Sequence, residues 1–180
     1  MATTQDRIQA GVEGHSADPP PVTVRPAVAA DLTTIADIER QSFSNPWQPD
    51  TFRSLLNQER CRVVVAEDPA AGVVGYAVLW WVLDQAELAN LAVDKGHQKR
   101  GIGSTLLDEV VTYAESQGVR SVFLEVRVSN EPAYRLYSLR GFVQISVRKG
   151  YYQNPREDAR ILVKHLSPSS GNGDGVGGML

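Results

Sequence analysis

The sequence predicts an α+β fold: a central mixed β-sheet flanked by helices. Two observations carry this. Strand-like segments follow one another through the first half of the chain, and helical segments separate strands only later. A fully parallel, doubly wound sheet would alternate the two from the start.

Val22 to Arg25 reads as a short strand. Asp31 is an N-cap candidate for a helix carrying Leu32, Ile35 and Ile38 at helical spacing. Pro49 to Leu56 reads as a second short helix with Phe52, Leu55 and Leu56 on one side. Cys61 to Ala66 and Val73 to Leu83 are β-rich and flank the turn Asp68 to Gly72, a hairpin pattern. Glu87 to Val93 is the next strand. Gly101 opens a helix with Ile102, Leu106, Leu107, Val110 and Ala114 on its apolar face, and Gly118 is placed to end it. Val122 to Val128 is a strand. Asn130 can cap a helix with Pro132 in its first turn and Gly141 at its end. Phe142 to Val147 and Ala159 to Lys164 close the set.

The folded unit expected is residues 22–166. Residues 1–21 are polar and end in Pro19-Pro20-Pro21, and residues 167–180 read SPSSGNGDGVGGML. Both tails are expected to be disordered, because neither buries enough apolar surface to offset ordering entropy.

Composition bounds the function. Of 180 residues, 42% are hydrophobic and 22% charged, the balance of a soluble globular protein. A net charge of -3 argues against a broad nucleic-acid footprint. Cys61 is the lone cysteine, and His15, His97 and His165 lie far apart, so no metal site is expected. The longest apolar run, Gly72 to Leu83, is shorter than the ~20 residues of a membrane helix. The expectation is a cytoplasmic protein, monomeric or weakly dimeric, without membrane or nucleic-acid partners.

The segment from Asn90 to Gly103 is the most informative. A strand runs into a Gly-containing turn that opens an amphipathic helix. The first amides of a helix lack intrahelical partners, and the dipole there favours anions. Gly101 and Gly103 clear side chains from that spot, while Lys99 and Arg100 add positive charge. A Walker loop would need Gly-Lys-Ser/Thr, which is missing. A dinucleotide fingerprint would need a small residue where Leu106 stands. Gln98-x-x-Gly101-x-Gly103 instead resembles the coenzyme A diphosphate loop of the GNAT acetyltransferase superfamily.

Candidate proton-transfer groups follow. The strand from Val122 alternates, placing Phe123, Glu125 and Arg127 on one face. A carboxylate there needs partners or a wet cleft. Glu125 reads either as a general base with a pKa raised by partial desolvation, or as half of an ion pair with Arg127 or Arg135. Tyr134 and Tyr137 share a helix face. A phenol of pKa about 10 can protonate a thiolate leaving group of pKa about 8.5. Tyr134 reads as a packing residue. Glu87, on the strand before the loop, is a second-ranked base. Glu39 and Arg62 read as solvated surface charges. Cys61 reads as inert.

Five stretches sharpen this. They are Phe43-Ser44-Asn45-Pro46-Trp47, Leu88 to Val93, Leu124-Glu125-Val126-Arg127-Val128-Ser129-Asn130, Leu136-Tyr137-Ser138-Leu139-Arg140-Gly141-Phe142, and Gly150-Tyr151-Tyr152 with Arg156 to Ala159 downstream. Over residues 22–166 the chain resembles the RimI family of ribosomal-protein alanine N-acetyltransferases. The resemblance implies a GNAT fold and acetyl-CoA as cosubstrate. It makes Glu125 the base and Tyr137 the acid, and the N-terminal alanine of ribosomal small-subunit protein eighteen the acceptor. It further implies that Leu91, Ala92, Val93, Gln98, Lys99, Arg100, Gly101, Ile102, Gly103, Ser104, Asn130 and Tyr137 contact the cofactor. Phe43, Trp47, Asn90, Tyr151 and Tyr152 are the expected acceptor groove; core or loop packing is the alternative for the four aromatics and is favoured for Phe43. Rival readings are a GNAT enzyme for lysine side chains or small amines, and a coenzyme A sensor without turnover.

Overall fold

The computed structural model of the protein describes residues 22–167. The tails expected to lack order lie outside the described residues, apart from Ser167. Seven strands form one sheet in the order β1-β2-β3-β4-β5-β7-β6. They are β1 (Thr23–Pro26), β2 (Cys61–Asp68), β3 (Gly72–Val82), β4 (Gln85–Val93), β5 (Ser121–Arg127), β6 (Val143–Gln153) and β7 (Arg156–His165). Only β4 and β5 pair in parallel; every other pair is antiparallel. The expected mixed sheet is therefore present.

Helices α1 (Leu32–Ser42) and α2 (Pro49–Leu55) cover one face through Ile35, Ile38, Phe52 and Leu55. Helices α3 (Ile102–Ser116) and α4 (Glu131–Leu139) cover the other, where Leu106, Leu107, Val110 and Tyr137 pack on Leu88, Leu124 and Leu162. None of the described helices is long and apolar enough to cross a membrane.

Local chemistry explains the boundaries. α3 and α4 end in the same way. Gly118 and Gly141 adopt left-handed φ of 78° and 82°. The next N–H then reaches back: Val119 N–H donates to Ala114 O at 3.1 Å and Phe142 N–H to Tyr137 O at 3.1 Å. Asn130 Oδ1 accepts the Ala133 N–H, the cap expected for α4.

Asp31 behaves differently from a simple N-cap. Its carboxylate turns back to the Val28 N–H and to the Arg25 guanidinium, because a charge-assisted pair outcompetes a neutral cap. β6 runs past the expected Val147 to Gln153. Gly150 sits inside a register shift at φ 58° within the strand.

Candidate active site

β4 and β5 pair only over Gln85↔Ser121, Ala86↔Val122 and Glu87↔Phe123. Beyond that point they part. The cause lies in β4: Val78 of β3 faces Asn90 and Leu79 faces Leu88, so Ala89 is an extra residue. Such a bulge bends its strand and reverses the faces. Before it, Ala86 and Leu88 pack under α3; after it, Ala92 packs under α1 and α2.

The parted strands leave backbone edges inside the sheet without a β partner. Asp94 N–H donates to Val74 O at 2.8 Å. Strand alternation then commits Ala92 to β3 and turns the backbone groups of Leu91 and Val93 toward the opening. The Ala92 carbonyl lies 3.0 Å from where a Cβ on Gly75 would be. Unpaired buried amides are costly, so an opening of this kind suits a ligand with amides of its own.

The loop follows directly. Gln98 Nε2 donates to Val93 O at 3.1 Å and closes the turn. Asp94 accepts the Gly96 N–H at 3.0 Å and bonds His97 Nδ1 at 2.8 Å. Its carboxyl is held below the ordinary range, chiefly by His97. Gly101 takes φ 80° as the N-cap of α3, a conformation a β-carbon disfavours. Among the described residues, no amide from Gln98 to Ser104 donates to another group, and the first closed turn is Thr105 N–H to Gly101 O.

A Cβ on Gly101 would meet nothing within 4 Å, so the space before these amides is open. Gly103 sits deeper. A Cβ there would approach Leu136 of α4 at 3.4 Å and Leu91 of β4 at 3.7 Å. Bare amides, the end of the β4–β5 opening and α4 therefore meet at one place. Free amides, a helix N-terminus and an amide-lined slot fit the diphosphate and arm of coenzyme A. Arg100 pairs with Asp68 at 3.3 Å, whereas Lys95 and Lys99 have no ion-pair partner among the described residues.

Glu125 lies on β5 just past the point where the strands part. Its Oε1 accepts from Arg148 Nη1 at 2.8 Å, and its Oε2 from the Tyr151 hydroxyl at 2.8 Å. The partners expected from the sequence, Arg127 and Arg135, do not bind it. Arg127 pairs with Glu157 at 3.1 Å. Strand neighbours two apart share a face, but this guanidinium extends along the sheet to a nearer carboxylate.

Tyr137 is 8% exposed on α4, with its ring 5.9 Å from that of Phe142. The Gly141 turn swings Phe142 onto Tyr137, so the helix end itself orients the phenol. Burial, and secondarily the nearby Tyr152, push this hydroxyl well above the ordinary phenol range. Tyr134 serves as a shelf for Arg160, whose Cζ lies 4.1 Å from the ring centroid. That agrees with its reading as a packing residue.

The residues expected on the acceptor side gather on the α1–α2 face. Trp47 stacks on Trp80 with centroids 6.0 Å apart, and Trp80 Nε1 donates to Glu87 at 3.1 Å. Tyr151 and Tyr152 touch edge to face at 5.0 Å. Burial raises the Tyr152 hydroxyl to about 12. Phe43 is half-buried against the core, as its packing alternative implies.

Asn90 is drawn inward. Its Nδ2 donates to both oxygens of Glu39 at 3.2 Å. Glu39 is not a solvated surface charge. It is 1% exposed and also accepts the Tyr76 hydroxyl and, at 2.9 Å, the Trp47 N–H. Burial lifts its carboxyl above the ordinary range despite these donors. The signal was present in the sequence, since Glu39 falls four residues after Ile35 on the apolar stripe of α1.

Arg62 is likewise packed: its guanidinium covers Tyr113 at 4.4 Å and its Nε is buried. The half-buried Cys61 thiol is pushed up to about 11, away from reactive thiolate. Arg148 was missed, and an exposed strand arginine carries no local signal of what it binds.

Comparison with known proteins adds to this geometry. The model of the acetyltransferase (GNAT) family matches residues 32–142. The [ribosomal protein bS18]-alanine N-acetyltransferase of Escherichia coli K12 is 33% identical over 147 residues, covering 81% of this chain and 98% of the relative. The crystal structure of the ribosomal-protein-S18-alanine N-acetyltransferase from Escherichia coli superposes with a TM-score of 0.76 at 33% identity, over 84% of this chain and 98% of that one. Arabidopsis thaliana NAA60 in complex with acetyl-CoA shares the fold, with a TM-score of 0.74 at 24% identity over 81% and 100% of the two chains. With a family match over most of its folded length and a relative of this similarity, the chain belongs to the GNAT acetyltransferases, within the RimI family of ribosomal-protein alanine N-acetyltransferases.

Proposed function

We propose that the protein transfers the acetyl group of acetyl-CoA to the α-amine of an N-terminal alanine, and that its acceptor is ribosomal protein S18 in the cytoplasm. One observation carries the reading: the β4–β5 opening runs from the free amides of Gln98 to Ser104 up to Glu125. The similarity to enzymes named for this reaction supports the acceptor.

When bound, acetyl-CoA supplies an acyl group already activated as a thioester. The amides of Gln98 to Ser104 hold its diphosphate, and the Leu91 backbone groups with the Val93 N–H orient its arm as an added strand. The Asn130 amide nitrogen, left over by the cap, is a further donor to the arm. A β4 N–H polarises the acyl carbonyl.

Glu125 takes a proton from the acceptor amine. Arg148 now occupies the place of an arriving ammonium. It is 56% exposed, and displacing such a pair costs little. The Tyr137 hydroxyl, kept protonated by burial, holds a proton for the departing sulfur. Glu87 lies on the same face and relays through Tyr151 or water.

An α-amine suits this machinery. Near neutral pH roughly a tenth of α-amines are already free, against under about a thousandth of lysines, so a modest base suffices. Trp47, Tyr151 and Tyr152 wall the peptide site. The test is to incubate the protein with acetyl-CoA and peptides varied at the first residue, each with an internal lysine, and locate the acetyl by mass spectrometry. Alanine-first peptides modified at the α-nitrogen are expected. Acetyl found only on lysine, or no acetyl at all, would refute the reading.

A further inference from the structure

β6 is an edge strand exposed along most of its length, and it is bonded to β7 alone. The tip of the β6–β7 hairpin carries Tyr151 and Tyr152. One side chain ties this tip to a second loop. Arg127, 22% exposed, donates from Nη1 to Pro155 O at 3.2 Å and to Glu157 Oε2 at 3.1 Å. From Nη2 it donates to Asn154 O at 3.0 Å and to Ser44 Oγ at 2.9 Å. Its Cζ lies 4.1 Å from the Tyr152 ring centroid. The other oxygen of Glu157 accepts the Ser129 N–H at 2.6 Å, one residue before the α4 cap.

Three separate segments thus meet on one guanidinium: β5, the loop between α1 and α2, and the hairpin turn. Ser44 belongs to the same short loop as Phe43 and Trp47. The two walls of the acceptor groove are therefore joined through Arg127, and through Glu157 to the end of β5. A planar fork with donors on two nitrogens can satisfy four acceptors while stacking on a ring; a lysine ammonium cannot.

We propose that Arg127 is the positioning residue of the acceptor groove, setting the distance between the 43–47 loop and the β6–β7 hairpin without touching the donor site. The proposal rests on the acceptor reading above.

The test uses Arg127→Lys and Ser44→Ala in the full chain. Steady-state kinetics would vary acetyl-CoA and an alanine-first peptide separately, and amide exchange would be read on the ligand-free protein. Arg127→Lys is expected to raise the peptide KM about tenfold, through lost charge-assisted bonds. The acetyl-CoA KM and kcat should stay within about threefold. Exchange across residues 150–157 should quicken while that of α3 is unchanged. Ser44→Ala, which removes a single bond at an exposed site, should raise the peptide KM about threefold with the fold intact.

Parallel changes in both KM values, unchanged exchange at the hairpin, or an unaffected peptide KM in Ser44→Ala would overturn the proposal. If the unmodified protein acetylated no peptide, the acceptor reading would fall on its own. The exchange comparison would still decide whether Arg127 holds the hairpin.

Discussion

The two halves of the site are built in opposite ways. The proposed donor half is almost entirely backbone: the amides of Gln98 to Ser104 and the freed edge of β4, all within one continuous stretch. The acceptor half is almost entirely side chain. Glu125 is bound by residues 23 and 26 positions away, and Arg127 reaches Ser44 across 83. Backbone recognition needs only a turn of the right shape, so it tolerates most side-chain changes. Side-chain recognition needs each partner in place, so single substitutions should disable it one step at a time.

The largest effects should come from the chemistry of the side-chain half. Glu125→Gln and Tyr137→Phe are each expected to lower kcat by about 10²-fold or more while leaving acetyl-CoA affinity unchanged. Single-turnover assays beside calorimetry would show this, and an equal loss of binding would blur the division.

Next is the buried network. Glu39→Ala leaves the Tyr76 hydroxyl, the Asn90 amide and the Trp47 N–H without their acceptor. A loss of about 2 kcal/mol in urea unfolding is expected, with a red shift in Trp47 emission. No change in either would mean that water replaces the carboxylate.

On the backbone half, Gly101→Val should weaken acetyl-CoA binding about thirtyfold. It strains a φ of 80° by about 1–2 kcal/mol and covers the open amides. Lys99→Ala, by contrast, should cost only about threefold, because an exposed charge is screened. A larger loss for Lys99 than for Gly101 would reverse the contrast.

The smallest effect is a pH response. The Ser129 N–H, first, and the Arg127 guanidinium hold Glu157 below the ordinary carboxylate range. A carboxyl whose pKa drops on folding contributes its full stabilisation above the unfolded value, about 4.3, and loses it as pH falls through the lower folded value. Protection of the Ser129 amide should therefore hold constant from about pH 8 to 5 and decline only in stronger acid. A decline near neutrality would point to another group.

How much the sequence disclosed follows the same division. The turn at Gly101, the helix ends at Gly118 and Gly141, the Asn130 cap and the β5 alternation are local events, and local patterns predict them. Glu39 was legible too, had its place on the apolar stripe of α1 outweighed its charge. The β4 bulge at Ala89 was not, because an extra residue shows only against a partner strand. Nor was the length of β6, where a register shift absorbs Gly150. Arg148 and the Arg127 bonds depend on which surfaces the finished sheet brings together.

In the proposed function the open edge of β4 and the uncapped start of α3 together receive the donor. Backbone amide exchange with and without coenzyme A tests it most directly. Slowed exchange is expected at Gln98 to Ser104 and at Leu91 and Val93, with the β6–β7 hairpin unaffected. Slowing confined to the hairpin, or none at the loop, would contradict it.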